Sequence, residues 1–268
     1  MLRFISFGSG SSGNCYYLFD DNEGLMIDAG LGIRRIKKGF HDYGLSLTRV
    51  SALLVTHDHA DHIKAAGVLS ETFGIPVYAT AEVHRGMLEN KCAKRNVPVA
   101  NRRTVAKNTT LTIGRFEITP FGVPHDSRDN VGYRIVYDNR TVFCLLTDVG
   151  HITPELQQMI ADAHYLVIEA NHDEDMLRMG PYPEYLKARI ASGNGHLNNR
   201  LCGEALAARL TDRIRHIWLC HLSEENNTPQ RAFDTVTGIL QQNGLRPNTD
   251  FALEVLPRKT ACGIFELG

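Results

Sequence analysis

The stretch Ala52-Leu53-Leu54-Val55-Thr56-His57-Asp58-His59-Ala60-Asp61-His62 joins an apolar run to a helical pattern through a loop crowded with ionisable groups. Ala52–Thr56 is short enough to be a buried strand, and His62–Phe73 reads as a helix. His57 and His59 are two apart, so at the end of an extended segment both point to one side. Asp61 and His62 follow at the turn into the helix. Ligands packed this closely can grip two ions from one loop, and imidazole with carboxylate suits Zn, Mn or Fe. A polar loop with chance histidines is the alternative. That suits a lone histidine better than a full H-x-H-x-D-H run, because crowded ionisable groups need partners or metals.

Outward from this loop the chain alternates between strand and helix patterns. Before it lie apolar runs at Leu2–Phe7, Cys15–Phe19 and Leu25–Asp28, split by turn residues as in a meander, and a helix at Ile33–Tyr43. After it come a strand at Pro76–Ala79 and a helix N-capped by Thr80 and running to about Arg95. Leu111–Ile113, Phe116–Phe121, Val131–Tyr137 and Thr141–Leu146 are successive β-rich runs, the last two joined by the turn signal Asp138-Asn139. Then follow a helix at Pro154–Ala161, a strand at Tyr165–Glu169, and helices at Tyr182–Ala191 and Arg200–Leu210. A strand at Ile217–Cys220, a helix at Pro229–Asn243, and strands at Phe251–Val255 and Gly263–Phe265 close the chain. Each half supplies strands plus flanking helices, which predicts an α+β four-layer αββα sandwich. A doubly wound parallel sheet is the competitor and fits the hairpin-rich middle poorly. No repeat or linker is visible, so residues 1–268 are expected to form one domain.

His125, Asp148 and His221 each follow the end of an apolar strand, as the H-x-H-x-D-H run does. Any one of them alone is better read as an ordinary loop residue. Taken in order, the run, the later histidine, the strand-end aspartate and the last histidine resemble the metallo-β-lactamase superfamily. The resemblance implies the αββα metallo-β-lactamase fold and two divalent metal ions. By position, His57, His59 and His125 would hold the first ion, Asp61, His62 and His221 the second, with Asp148 bridging. Four further segments are similar to the YycJ/WalJ branch: Phe7–Asn14 (FGSGSSGN), Glu169–Asp173 (EANHD), Gly195–Asn199 (GHLNN) and His221–Asn227 (HLSEENN). That branch implies a hydrolase of phosphodiester bonds, exonuclease-like and acting on double-stranded DNA, with a hydroxide bridging the ions as nucleophile.

Gly8–Gly13 (GSGSSG) contains G-x-G-x-x-G, but a dinucleotide loop must open a helix, and CYYLF reads as a strand. Ser11, Ser12 and Asn14 are candidate phosphate contacts on a tight turn, with an ordinary Gly/Ser hairpin as the alternative. Asp61 is expected to orient the nucleophile as well as bind metal. His196, before a helix N-capped by Asn198 or Asn199, is a candidate phosphate contact or proton donor. His172 is a candidate substrate contact. For both, a structural histidine is the competing reading, and His41, His84, His151, His164 and His216 receive that reading outright.

Arg85, Lys91, Lys94, Arg95, Arg102, Arg103 and Lys107, with Arg34, Arg35, Lys37 and Lys38, offer a positive approach for a nucleic acid, or else solvated helix faces. No aromatic interleaving supports base-specific reading. The net charge of −1 excludes blanket attraction to nucleic acid. No apolar run approaches the roughly 20 residues that span a bilayer, and the N-terminus lacks the pattern of a signal peptide. Six scattered cysteines without C-x-x-C spacing read as reduced residues of a cytoplasmic protein. Asp148 and His221 are 73 positions apart (221 − 148), too close for the extra domain that larger RNA-processing relatives carry there. A small-molecule hydrolase of a thioester, lactone or cyclic phosphodiester uses the same ligand set, and a degenerate regulatory member is the non-enzymatic alternative.

Overall fold

The computed structural model describes residues 1–93 and 95–268, so Lys94 of the basic segment lies outside the described residues. The strands are β1 (Leu2–Gly8), β2 (Cys15–Phe19), β3 (Gly24–Ile27), β4 (Val50–Leu54), β5 (Val77–Ala79), β6 (Arg102–Thr104), β7 (Leu111–Ile113), β8 (Phe116–Gly122), β9 (Val131–Tyr137), β10 (Thr141–Leu146), β11 (Tyr165–Glu169), β12 (His216–Cys220), β13 (Ala252–Val255) and β14 (Phe265–Leu267). The helices are α1 (Ile33–Asp42), α2 (Ala60–Ile63), α3 (Ala66–Phe73), α4 (Ala81–Glu89), α5 (Pro154–Asp162), α6 (Glu174–Met179), α7 (Glu184–Ile190), α8 (Asn199–Arg209) and α9 (Pro229–Gln242).

Among the described residues, two seven-stranded sheets run in the orders β14-β1-β2-β3-β4-β5-β6 and β13-β12-β11-β10-β9-β8-β7. Both are mixed. Antiparallel pairs β1/β2 and β2/β3 give way to parallel β3/β4 and β4/β5, and antiparallel β9/β10 gives way to parallel β10/β11 and β11/β12. The antiparallel hairpins rule out the doubly wound parallel sheet, and the α+β class expected from the sequence holds. Gly8–Gly13 turns from β1 into β2, not into a helix, which removes the dinucleotide reading.

The chain divides into two compact units, Met1–Pro120 with Ser127–Val131 and Pro257–Gly268, and Phe121–Asp126 with Gly132–Leu256. Each has its own core. In the first, Ile36 and Phe40 of α1, Ala66 and Leu69 of α3, and Val83 and Met87 of α4 pack with Ile5, Tyr17, Met26 and Leu53 of the strands. In the second, Leu156 and Ile160 of α5, Cys202 and Leu206 of α8, and Val236 and Leu240 of α9 pack with Cys144, Leu166 and Ile217. The apolar positions on these helices recur three or four residues apart, so one face is buried. Alternate strand residues point to the opposite face, and Phe4, Leu18, Ile27, Tyr133, Phe143 and Trp218 there are fully buried too.

Differences from the expected elements have local causes. The helix expected over His62–Phe73 is split into α2 and α3. Ala29 N–H donates to His62 O (2.7 Å) and Ala65 N–H to Ala29 O (2.8 Å), diverting helical hydrogen bonds to another segment. Thr80 caps α4 as expected, but the helix stops at Glu89 rather than near Arg95. Asn90 turns out of it, donating from Nδ2 to Asp58 O (2.8 Å) and accepting the Cys92 N–H (2.9 Å). The N-cap of α8 is Asn198, which accepts the Leu201 N–H at 2.7 Å. β6 and α6 have too few apolar residues to signal themselves.

One close approach positions the ligand loop. Asn14 N–H donates to Asp61 O and Gly30 N–H to Asn14 O, both at 2.8 Å. A Cβ on Gly30 would lie 1.5 Å from that Asp61 carbonyl oxygen, so only glycine fits. Gly30→Ala is predicted to destabilise the chain by about 1–3 kcal/mol or more, read as a lower midpoint in urea. An unchanged midpoint would contradict this packing.

Candidate metal centre

In the first unit the chain leaves β4 and reaches His57 through Val55 and Thr56. His57 and His62 are buried, while His59 and Asp61 are partly exposed. The His57 ring centroid lies 4.0 Å from that of His62 and 4.6 Å from that of His59. Asp61 Oδ2 is 3.5 Å from His62 Nε2. Beneath them lies a residue that sequence reasoning missed. Asp28 is fully buried, one position past β3, with a left-handed backbone (φ 58°). Its Oδ1 accepts the Thr56 N–H (2.8 Å), and its Oδ2 accepts the Thr56 hydroxyl (2.9 Å) and the His62 Nδ1–H (2.7 Å). The one hydroxyl proton of Thr56 is thereby spent, so Thr56 Oγ1 accepts from His57 Nδ1–H at 3.0 Å. In its neutral form each ring therefore carries the proton on Nδ1 and the lone pair on Nε2. Asn14, oriented by the Gly10 N–H on its Oδ1 (2.9 Å), donates from Nδ2 to that His62 Nε2 at 2.9 Å.

The second unit repeats the device. Asp148 lies just past β10 and His221 just past β12, with left-handed backbones of φ 54° and 53°. Such conformations cost of order 1–3 kcal/mol and persist where surrounding structure holds them. His221 is held by Glu169, the last residue of β11 and fully buried. Its Oε1 accepts the Nδ1–H of both His196 (2.8 Å) and His221 (2.9 Å). Its Oε2 accepts the N–H groups of Val149 (2.7 Å) and Leu197 (3.0 Å). His125 Nδ1–H donates to Gly195 O at 2.9 Å. The Nε2 atoms of His125 and His221 lie 3.7 and 3.6 Å from Asp148 Oδ1, so Asp148 adjoins one ligand assigned to each ion. Asp148, Glu169, His196 and His221 offer ligand atoms that all lie within 4.8 Å of one another.

These contacts are those of metal-binding side chains. Ligand histidines donate their second ring nitrogen to a carboxylate or carbonyl, which fixes the tautomer. His62, His221 and His125 do so directly, and His57 does so through Thr56. The His/Asp donor set with this backing is suited to binding divalent metal.

Electrostatics follow the same contacts. Burial alone would raise the Glu169 pKa, but the charges and hydrogen bonds of His196 and His221 outweigh it and hold the carboxyl below its usual range. Burial alone would lower His196, but the Glu169 and Asp148 carboxylates outweigh it and raise that imidazole above its ordinary value. Burial wins at His125, which is lowered despite Asp148, and at His172, pushed down to about 4.

The remaining candidates are dispersed. Ser11 and Ser12 are exposed on the β1–β2 turn, whereas Asn14 is buried at its base. His172 is buried and, with His196, lines a cleft of about 600 Å³. Of the histidines read as structural, His84 contacts Arg103 O, His164 Nδ1 accepts the Val142 N–H (2.9 Å), and His216 stacks on Trp218 at 4.0 Å. His151 donates to Gly193 O (2.7 Å) on the cleft wall. Much of the basic segment is committed nearby. Arg95 pairs with Glu71 at 2.9 Å, Arg85 with Glu82, Lys107 with Asp129 and Lys38 with Asp42, and Arg102 donates to Val97 O at 3.0 Å. The positive approach is weaker than the residue count suggests.

Glu169→Gln keeps the shape and removes the charged acceptor. It is predicted to lower metal affinity by about 10–100-fold in a competition titration with a chelating dye. In the metal-free protein it also brings the His196 titration, followed by NMR, back down. Because that pKa is raised on folding, the His196 contribution to stability is complete below its unfolded value of 6.5 and disappears as pH rises through the folded value. The wild-type chain should lose that increment above this pH, and Glu169→Gln should not.

The sequence model described as a Beta-lactamase superfamily domain matches residues 24–222. Exodeoxyribonuclease YycJ of Bacillus anthracis is 37% identical over 243 residues, which are 91% of this chain and 90% of that one. Exodeoxyribonuclease WalJ of Streptococcus pneumoniae is 35% identical over 266 residues, 99% of this chain and 98% of the relative. The metallo-β-lactamase fold protein YhfI of Bacillus subtilis superposes with a TM-score of 0.70 at 16% identity, covering 97% of this chain and 99% of its own. The likeness at that identity carries the fold, and the two full-length relatives carry the branch. The chain belongs to the metallo-β-lactamase superfamily and, within it, to the YycJ/WalJ-like proteins.

Proposed function

We propose that this chain, acting as one domain over residues 1–268, is a metal-dependent phosphodiester hydrolase that degrades DNA from its ends, with duplex DNA preferred. Relatives at 35–37% identity that are named exodeoxyribonucleases support the reaction class. Glu169 carries the reading: from one carboxylate oxygen it orients His221, a candidate ligand, and His196, whose imidazole it favours in the protonated form. That couples ion binding to proton donation, as phosphodiester cleavage requires.

His57, His59 and His125 would hold one divalent ion and Asp61, His62 and His221 a second, and Asp148 would be a ligand as well. Zn, Mn and Fe all suit this donor set. When bound, such ions supply an activated water and neutralise phosphate charge. Asp61 orients the attacking water. With its Nδ1–H on Glu169, His196 holds the transferable proton on Nε2, where it can pass to the leaving 3′- or 5′-oxygen or contact a phosphate oxygen. Ser11 and Ser12, exposed on the β1–β2 turn, offer donors to the substrate backbone, whereas Asn14, buried with its Nδ2 on His62 Nε2, orients that ring instead. Placement in the cytoplasm is part of this proposal and rests on the six scattered cysteines without C-x-x-C spacing. Among the described residues, no helix is long and apolar enough to cross a membrane. The second reading is a small-molecule hydrolase. The cleft beside His196 favours it, because about 600 Å³ is an ordinary size for a small-ligand site.

The test is a panel of single- and double-stranded DNA and RNA, incubated with protein loaded with Mn or Zn. Linear duplex DNA is expected to be degraded while covalently closed circles persist. Chelator and His59→Ala each abolish the activity. Failure of the loaded protein to cut any nucleic acid would sink the nuclease reading. His196→Ala should lower kcat on DNA by about 10²–10⁴-fold. It should cost far less on bis(p-nitrophenyl) phosphate, whose nitrophenolate leaves without a proton. Equal losses on both substrates would remove His196 from leaving-group assistance.

A further inference from the structure

The cleft in the second unit has features that metal binding does not explain. It is walled by α6, α7 and the start of α8, and α7 has no buried residue of its own. His196 marks the edge nearest Asp148, Glu169 and His221. Leu177 and Leu201 supply apolar wall, and Lys187 and Arg200 supply cations. His172 also lines the cleft. It is 2% exposed, and its Nδ1 has no hydrogen-bond partner. A buried polar atom left unsatisfied costs about 1–3 kcal/mol and is uncommon unless a ligand or water completes it. Burial also keeps this ring neutral, with its pKa down near 4.

We propose that this cleft is a binding subsite for the terminal nucleotide of the strand being degraded. The inference rests on the phosphodiesterase reading and deepens it. A flat base suits the Leu177 and Leu201 walls, and a base or sugar polar atom suits the unsatisfied ring of His172. A phosphate suits Lys187 and Arg200; Lys187 now pairs with Glu184 at 3.0 Å and donates to Arg178 O at 2.9 Å, and Arg200 pairs with Glu174 at 3.0 Å and with Glu204 at 2.7 Å. These ion pairs are partly exposed, and such pairs are weak enough for a phosphate to compete. The volume of about 600 Å³ is that of a site for a single small ligand, not of a channel for a continuous duplex. A subsite that holds one nucleotide beside the reacting groups gives the chain a physical reason to act at strand ends.

Leu201 is 38% exposed, so Leu201→Trp fills the cleft without disturbing a core. The expected result is a drop of about tenfold in kcat/KM for release of mononucleotides from linear duplex DNA. Hydrolysis of bis(p-nitrophenyl) phosphate, which needs no subsite, should be unchanged and also reports correct folding and metal loading. Calorimetry with a 2′-deoxynucleoside 5′-monophosphate should show binding to the metal-loaded wild type, weakened about tenfold in Leu201→Trp. Equal DNA degradation and equal nucleotide binding by the two proteins would overturn the subsite while leaving the nuclease reading intact. A wild type that binds the nucleotide but cuts no DNA would overturn the nuclease reading instead.

Discussion

A buried carboxylate under each set of candidate ligands is the constraint on which the rest of this structure depends. Asp28 in one unit and Glu169 in the other are fully buried, a position that a lone carboxylate tolerates only when hydrogen-bonded on both oxygens. Asp28 meets that need with Thr56 and His62. Glu169 meets it with two backbone N–H groups and two histidines. The same bonds that stabilise the acids decide which nitrogen of each ring keeps its lone pair. Burial, tautomer and ligand geometry are therefore one problem with one solution, and a change at either acid acts on the histidines above it.

Left-handed backbone recurs at the same places. Asp28, Asp148 and His221 all have left-handed backbones just beyond the ends of strands. The conformation turns the side chain out of the strand's alternation, so it can face the site instead of a core. Asp28 and His221 are held there by carboxylate bonds. Asp148 is held by its neighbours, with the Thr147 hydroxyl donating to its Oδ2 at 2.7 Å. Strand ends position these groups because each sheet is anchored by its own helices.

The sequence made the ligands far more legible than their supports. His57, His59, Asp61 and His62 announce themselves by spacing, and strand periodicity put His125, Asp148 and His221 at strand ends. The strands over Leu111–Ile113, Val131–Tyr137, Thr141–Leu146 and Tyr165–Glu169 match the expected bounds because their apolar runs are clean. Asp28 and Glu169 were missed as functional groups. Each is a lone acid closing an apolar run, a position equally natural for the first polar residue of a loop. The usable signal is that Glu169 is followed by more apolar and amide residues, so the chain remains buried past the acid. The break between α2 and α3 was invisible because it comes from Ala29, more than thirty positions earlier, and no local pattern carries it. The basic segment misled for the opposite reason. Composition counts cations, but partners such as Glu71 and Asp129 are supplied by other segments.

Metal binding here depends on which nitrogen each candidate ligand histidine presents. Crystals loaded with Mn or Zn and measured at the metal absorption edge locate the ions directly. Two anomalous peaks, bonded through the Nε2 atoms of His57, His62, His125 and His221, with Asp28 still on Nδ1 of His62 and Glu169 still on Nδ1 of His221, are the predicted result. Ions bonded through Nδ1, or no peak at these residues, would contradict it.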